Sequence, residues 1–98
     1  MPTSLGRAAT DAAPRYAKQV ASHFGRKIPV GETPDGGHRL TFQATDVVLQ
    51  PADDHLLIRV TAPDASALTA IQDVIGSHLE RFGRRNELTV TWDEPSAD

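Results

Sequence analysis

Two apolar stripes of helical period frame a stretch of the chain in which the period falls to two. The first stripe is Ala13, Tyr16, Ala17, Val20 and Phe24; the second is Leu68, Ile71, Ile75, Leu79 and Phe82. Between them Leu40 and Phe42 alternate with Arg39, Thr41 and Gln43, Val47 and Leu49 with Val48 and Gln50, and Leu56, Ile58 and Val60 with Leu57, Arg59 and Thr61. A stripe at three- and four-residue steps gives a helix one face to bury, and strict alternation gives a strand one face to bury. Two one-faced helices and a one-faced sheet satisfy each other by stacking, so the pattern predicts a two-layer α+β sandwich.

Punctuation supports these elements. Thr10–Asp11 offers an N-cap for the first helix, with Pro14 in its first turn, where a missing N–H costs little. Gly25 follows the last stripe residue and Pro29 prevents continuation. Asp64 is placed to cap the second helix and Gly83 to end it. Gly31–Gly37 reads as a loop and Pro51–Asp54 as a turn. Leu88, Val90 and Trp92 share one face of a last strand, and a first strand around Leu5–Ala9 alternates poorly. The predicted order is β-α-β-β-β-α-β, with both helices on one face of a mostly antiparallel sheet. At 98 residues the chain has room for a single domain over 1–98, with a disordered acidic tail from about residue 94.

If every connection reverses the chain, three strands between the helices make the helices co-directional and bring their C-terminal ends together. Those ends look alike: Ser22-His23-Phe24-Gly25-Arg26-Lys27 in the first, Ser77-His78-Leu79 and then Phe82-Gly83-Arg84-Arg85 in the second. A short internal duplication explains the likeness, and so does capping chemistry, because glycine and cations are both favoured at helix C-termini. The ends offer a candidate ligand site of His23, Lys27, His78 and Arg81, with Tyr16 on the adjoining edge of the first stripe. Two imidazoles among cations suit a small anion such as phosphate or a carboxylate, or a proton transfer near neutral pH. The competing reading makes both histidines half-buried boundary residues and the cations plain complements of the helix dipoles.

Other chemistry is excluded by its residues. The chain has no cysteine, which removes disulfides, thiolate nucleophiles and Cys-type zinc sites. No paired-histidine motif is present and Glu80 and Asp73 lie off the His78 face, so no metal site is expected, nor any cofactor. Phosphate-binding glycine loops and nucleophile elbows are absent, and Ser22 and Ser77 point about 100° from their neighbouring histidines. No apolar run approaches the ~18 residues of a spanning helix, and nothing at the start reads as a signal peptide. A net charge of −3 and a sheet face without aromatics argue against nucleic acid and an anionic membrane as partners. With no cysteine to bridge, the expected location is the cytoplasm. The open sheet face, with Val48 and Leu57 among threonines, leaves room for self-association.

The chain resembles a small bacterial family catalogued as domain of unknown function 2218. The resemblance is carried by Thr10-Asp11, Arg15-Tyr16, Lys18-Gln19, His23-Phe24 and Lys27-Ile28-Pro29-Val30, then Ala62, Asp64, His78-Leu79-Glu80-Arg81-Phe82 and Trp92. It covers nearly the whole chain and departs at Gln43-Ala44-Thr45, where the family tends to carry glycine. The resemblance implies no established activity. It implies an association with siderophore-interacting flavoproteins, hence a siderophore-related protein partner and an accessory role in iron handling. Two functions follow as expectations: a small non-catalytic binding or accessory module, or a small enzyme or anion-binding protein using His23 and His78 with their cations.

Overall fold

The computed structural model describes residues 2–34, 36–93 and 96–97. Strand β1 (Pro2–Ala9) leads to helix α1 (Ala13–Phe24). Strands β2 (Val30–Glu32), β3 (His38–Phe42), β4 (Thr45–Pro51) and β5 (His55–Thr61) follow in succession. Helix α2 (Ala65–Phe82) runs into a 3₁₀ turn at Arg84–Asn86 and then strand β6 (Val90–Trp92). A two-residue strand β7 (Ser96–Ala97) ends the described chain. The sheet order is β2-β3-β4-β5-β1-β6, with β7 also beside β1, and every pairing is antiparallel. Helix α1 packs over β3, β4 and β5, and α2 over β1, β4, β5 and β6. This is the expected α+β sandwich, with both helices on one face.

Register places the alternating residues as the period requires. Leu49 opposes Ile58, Val47 opposes both Leu40 and Val60, and Leu56 opposes Ala8. All seven of these aliphatic residues are fully buried beneath the helices, together with Val20, Ile75 and Leu79.

Strand β1 sits in the middle of the sheet despite its poor alternation. Its inward residues are Ser4, Gly6 and Ala8, all buried and all small. The reason is Trp92, which pairs with Gly6 across the strands and lays its ring on the glycine. A β-carbon at Gly6 would stand 2.7 Å from the indole carbons. On its other side the indole meets Gly76 of α2. A large inward residue on β1 would displace the indole, so a hydrophobicity pattern cannot reveal this strand.

Strand β2 lies in the segment predicted to be a loop. All three of its residues are exposed, and it pairs with β3 alone, as a sheet edge. It buries no side-chain face, and its partners are backbone groups. Gly36, at φ +81°, and the Thr33 hydroxyl, which accepts from the Gly37 N–H at 2.9 Å, close the hairpin.

The extra strand changes the parity between the helices. Tyr16, early in α1, meets Asn86 beyond α2, whereas His23, late in α1, meets His78. Farther on, Ile28 shares a hollow with Ala67 and Ile71. Numbers that rise along one helix fall along the other, so the helices are antiparallel, and the expected co-direction is incorrect. Four strands separate the helices, where three were expected. The C-terminal turns still become neighbours, because the helices are staggered and overlap side by side mainly through those turns.

Two caps differ from expectation. Ala12, not Thr10 or Asp11, is the N-cap of α1; the Thr10 hydroxyl instead accepts from the Ala12 N–H at 3.0 Å. Gly25 keeps a right-handed φ of −61°. Asp64 caps α2 as predicted, its carboxylate accepting from the Ala67 N–H at 2.8 Å. The expected disorder of the acidic tail falls mainly on residues 94, 95 and 98, outside the described residues. Ser96–Ala97, within that tail, pair with Pro2–Thr3.

Candidate functional site

The last turn of α1 and the penultimate turn of α2 place the two imidazoles side by side. Ring centroids of His23 and His78 are 4.9 Å apart, tilted at 46°. Phe24 meets the His78 ring at 4.9 Å and the Phe42 ring at 5.2 Å. Phe82 closes the other flank, 5.7 Å from His23 and 6.1 Å from His78. Helical spacing accounts for the set: His78 and Phe82 are four residues apart and stack along one face of α2.

The two histidines are held differently. His78 is half-buried and its Nδ1 donates to the Val74 carbonyl at 2.7 Å. That bond fixes the ring and leaves Nε2 as the atom open to a ligand. His23 is exposed and is oriented by ring contacts with Phe24, His78 and Phe82. One imidazole is therefore locked and the other free to adjust.

The predicted cations flank the pair and diverge from it. Lys27 lies past the end of α1, its N–H donating to the Phe24 carbonyl, on the side that leads to Ile28. Arg81, one turn beyond His78, lies on the side that leads towards the start of α1. Both are exposed, as are Arg26, Arg84 and Arg85. The nearest carboxylate along α2, Glu80, accepts from the Val90 N–H at 3.2 Å. Each histidine is thus followed along the chain by exposed cations.

Tyr16 does not join this group. It is 2% exposed, its hydroxyl accepts from Asn86 Nδ2 at 2.8 Å, and the Arg15 guanidinium lies 5.1 Å from its ring centre. Seven residues separate it from His23, about 10 Å along the helix axis. Its role is to tie the start of α1 to the turn after α2.

Asp54 ends the predicted Pro51–Asp54 turn and His55 opens β5. They form an ion pair, His55 Nδ1 to Asp54 Oδ1, at 2.7 Å. The hydrogen bond from His55, then its charge, holds the Asp54 carboxyl below the usual carboxylate range. With Arg7, Glu87, Thr89 and Thr91 they line an open concavity of about 550 Å³ at the sheet edge. Arg7 is already paired with Asp93 at 3.1 Å and Asp54 is largely in solvent, so this concavity holds its charges weakly. Adjacency of Asp54 and His55 was visible in the sequence, but their meeting with Thr89 and Thr91 requires the sheet order.

Among the described residues, no three His, Asp or Glu side chains converge as metal ligands, and no helix is long and apolar enough to cross a membrane.

Comparison with known proteins agrees with the fold. The solution structure of PA4090 from Pseudomonas aeruginosa is 28% identical, and the match covers 99% of this chain and 100% of that one. The two superpose with a TM-score of 0.82. No curated protein matches the chain in sequence. The family model described as "Uncharacterized protein conserved in bacteria (DUF2218)" matches residues 5–93, and the chain belongs to that family.

Proposed function

We propose that the protein is a small non-catalytic binding module whose ligand is a small anion held by His23 and His78. The observation that carries this reading is the 4.9 Å separation of two imidazoles supplied by different helices. Rings that close can donate to the same carboxylate or phosphate group. The negative ends of both helix dipoles oppose an anion here, at about 0.3–1 kcal/mol each. Hydrogen bonds to a charged acceptor are worth about 1.5–3 kcal/mol apiece, so ring N–H donors from both imidazoles outweigh the dipoles. The sequence carries no recognised catalytic motif, which favours a binding role over catalysis.

The family resemblance suggests an accessory role in siderophore or iron handling, with a siderophore-related protein or a small anionic ligand as partner. The lack of cysteine favours a cytoplasmic setting. Self-association through the open sheet is a further proposal, supported by half-buried Val48 and Leu57 around a hollow of about 280 Å³.

The test is a chemical-shift titration with inorganic phosphate and with acetate at constant ionic strength, near pH 6. Saturable movement of both the His23 and the His78 ring signals is the expected result. If neither ring responds to either anion, the reading falls and the pair is a packing contact.

A further inference from the structure

The imidazole pair is one end of a longer apolar seam. Ile28, Phe42 and Ile71, together with Ala67, Ala70, Gln43 and Thr45, line a hollow of about 390 Å³ between the β3–β4 hairpin and the N-terminal half of α2. Phe24 joins the hollow to the histidines, since its ring touches Phe42 on one side and His78 on the other. Along α2, Ile71, Val74 and His78 recur at three- and four-residue steps and share a face. Ile28, Phe42, Ile71 and Val74 are only partly buried, in contrast to the core proper. Burial of this apolar surface is thus left incomplete beside the cationic, imidazole-bearing end.

We infer that the ligand is an amphipathic monocarboxylate, its acid group on His23 and His78 and its apolar tail in the Ile28/Phe42/Ile71 hollow. This inference rests on the anion-binding reading above and adds the class of ligand. The length follows from the helix: seven residues from Ile71 to His78 span about 10 Å. That matches a straight chain of about eight carbons or a phenyl ring on a short linker. The polarity of the ligand follows from the same residues. The imidazoles stand at one end, and the hollow at the other is walled by the carbon of Ile28, Phe42, Ala67, Ala70 and Ile71, with Gln43 and Thr45 as its polar members. A phosphate or acetate would fill the imidazole end and leave the hollow in water.

The test compares acetate, octanoate and 1-octanol by chemical-shift titration of the whole protein. Octanoate is expected to bind at least tenfold more tightly than acetate, because several methylenes leave water. It should move the Ile28 and Ile71 methyl signals together with both imidazoles, and 1-octanol should bind more weakly than octanoate. Ala70→Gln, an exposed position on the rim, should weaken octanoate at least threefold and leave acetate unchanged. Equal affinity for acetate and octanoate, with movement at the histidines alone, would overturn the amphipathic ligand and leave the anion site standing. Octanoate and octanol binding equally, without response from either imidazole, would overturn both. No response to any of the three would likewise remove the site.

Discussion

Gln43 carries the backbone strain of the β3–β4 hairpin. Phe42 pairs with Thr45, so the connection is Gln43–Ala44, two residues long, and Gln43 has a φ of +55°. Two-residue hairpins favour turns with positive φ because these match the twist of the strands, and glycine is the usual occupant. A side chain in the left-handed region costs about 1–2 kcal/mol, while glycine gives back about 0.5–1 kcal/mol through the freedom of the unfolded chain. Gln43→Gly should therefore stabilise the protein by about 0.5–1 kcal/mol, which raises Tm by about 2–6 °C for a domain this size. Thermal unfolding followed by circular dichroism checks this, and a lower Tm would contradict the turn assignment. The departure from the glycine pattern at Gln43-Ala44-Thr45 was legible in the sequence; the sign of φ that makes it costly was not.

At the scale of elements, legibility follows side-chain burial. Strands β3, β4, β5 and β6 and both helices announce themselves because each buries an apolar face that the period exposes. Strand β2 buries nothing and is held by backbone pairing, so no side-chain pattern marks it. Strand β1 is buried but inverted in size, with its small residues inward to seat Trp92. The account makes Gly6 a steric necessity. Gly6→Ala should force the indole from its place between Gly6 and Gly76 and cost about 1–3 kcal/mol. Chemical denaturation measures the cost. Because Trp92 is the chain's single tryptophan, its emission reports the displacement directly. Unchanged stability and emission would show that the indole is not confined.

At the scale of the molecule, one overlooked edge strand reversed the relation between the helices, from co-directional to antiparallel. The histidines nevertheless meet, because α2 is longer than α1 and the two overlap through their C-terminal turns. The residue types of the candidate site were therefore readable from the chain: a histidine near the end of each helix, with cations after it. Their arrangement was not. Lys27 and Arg81 lie on opposite sides of the ring pair, and Tyr16 belongs to the far end of α1, because stagger and direction depend on sheet order. What the fold delivers is a pair of imidazoles that act as a unit only if one ligand spans both. A double-mutant cycle measures that directly, using His23→Gln, His78→Gln and the double substitution, with octanoate affinity as the readout. A shared ligand predicts a coupling of about 0.5–3 kcal/mol between the two positions. Losses that add to within about 0.3–0.5 kcal/mol would show two independent side chains and contradict the proposed site.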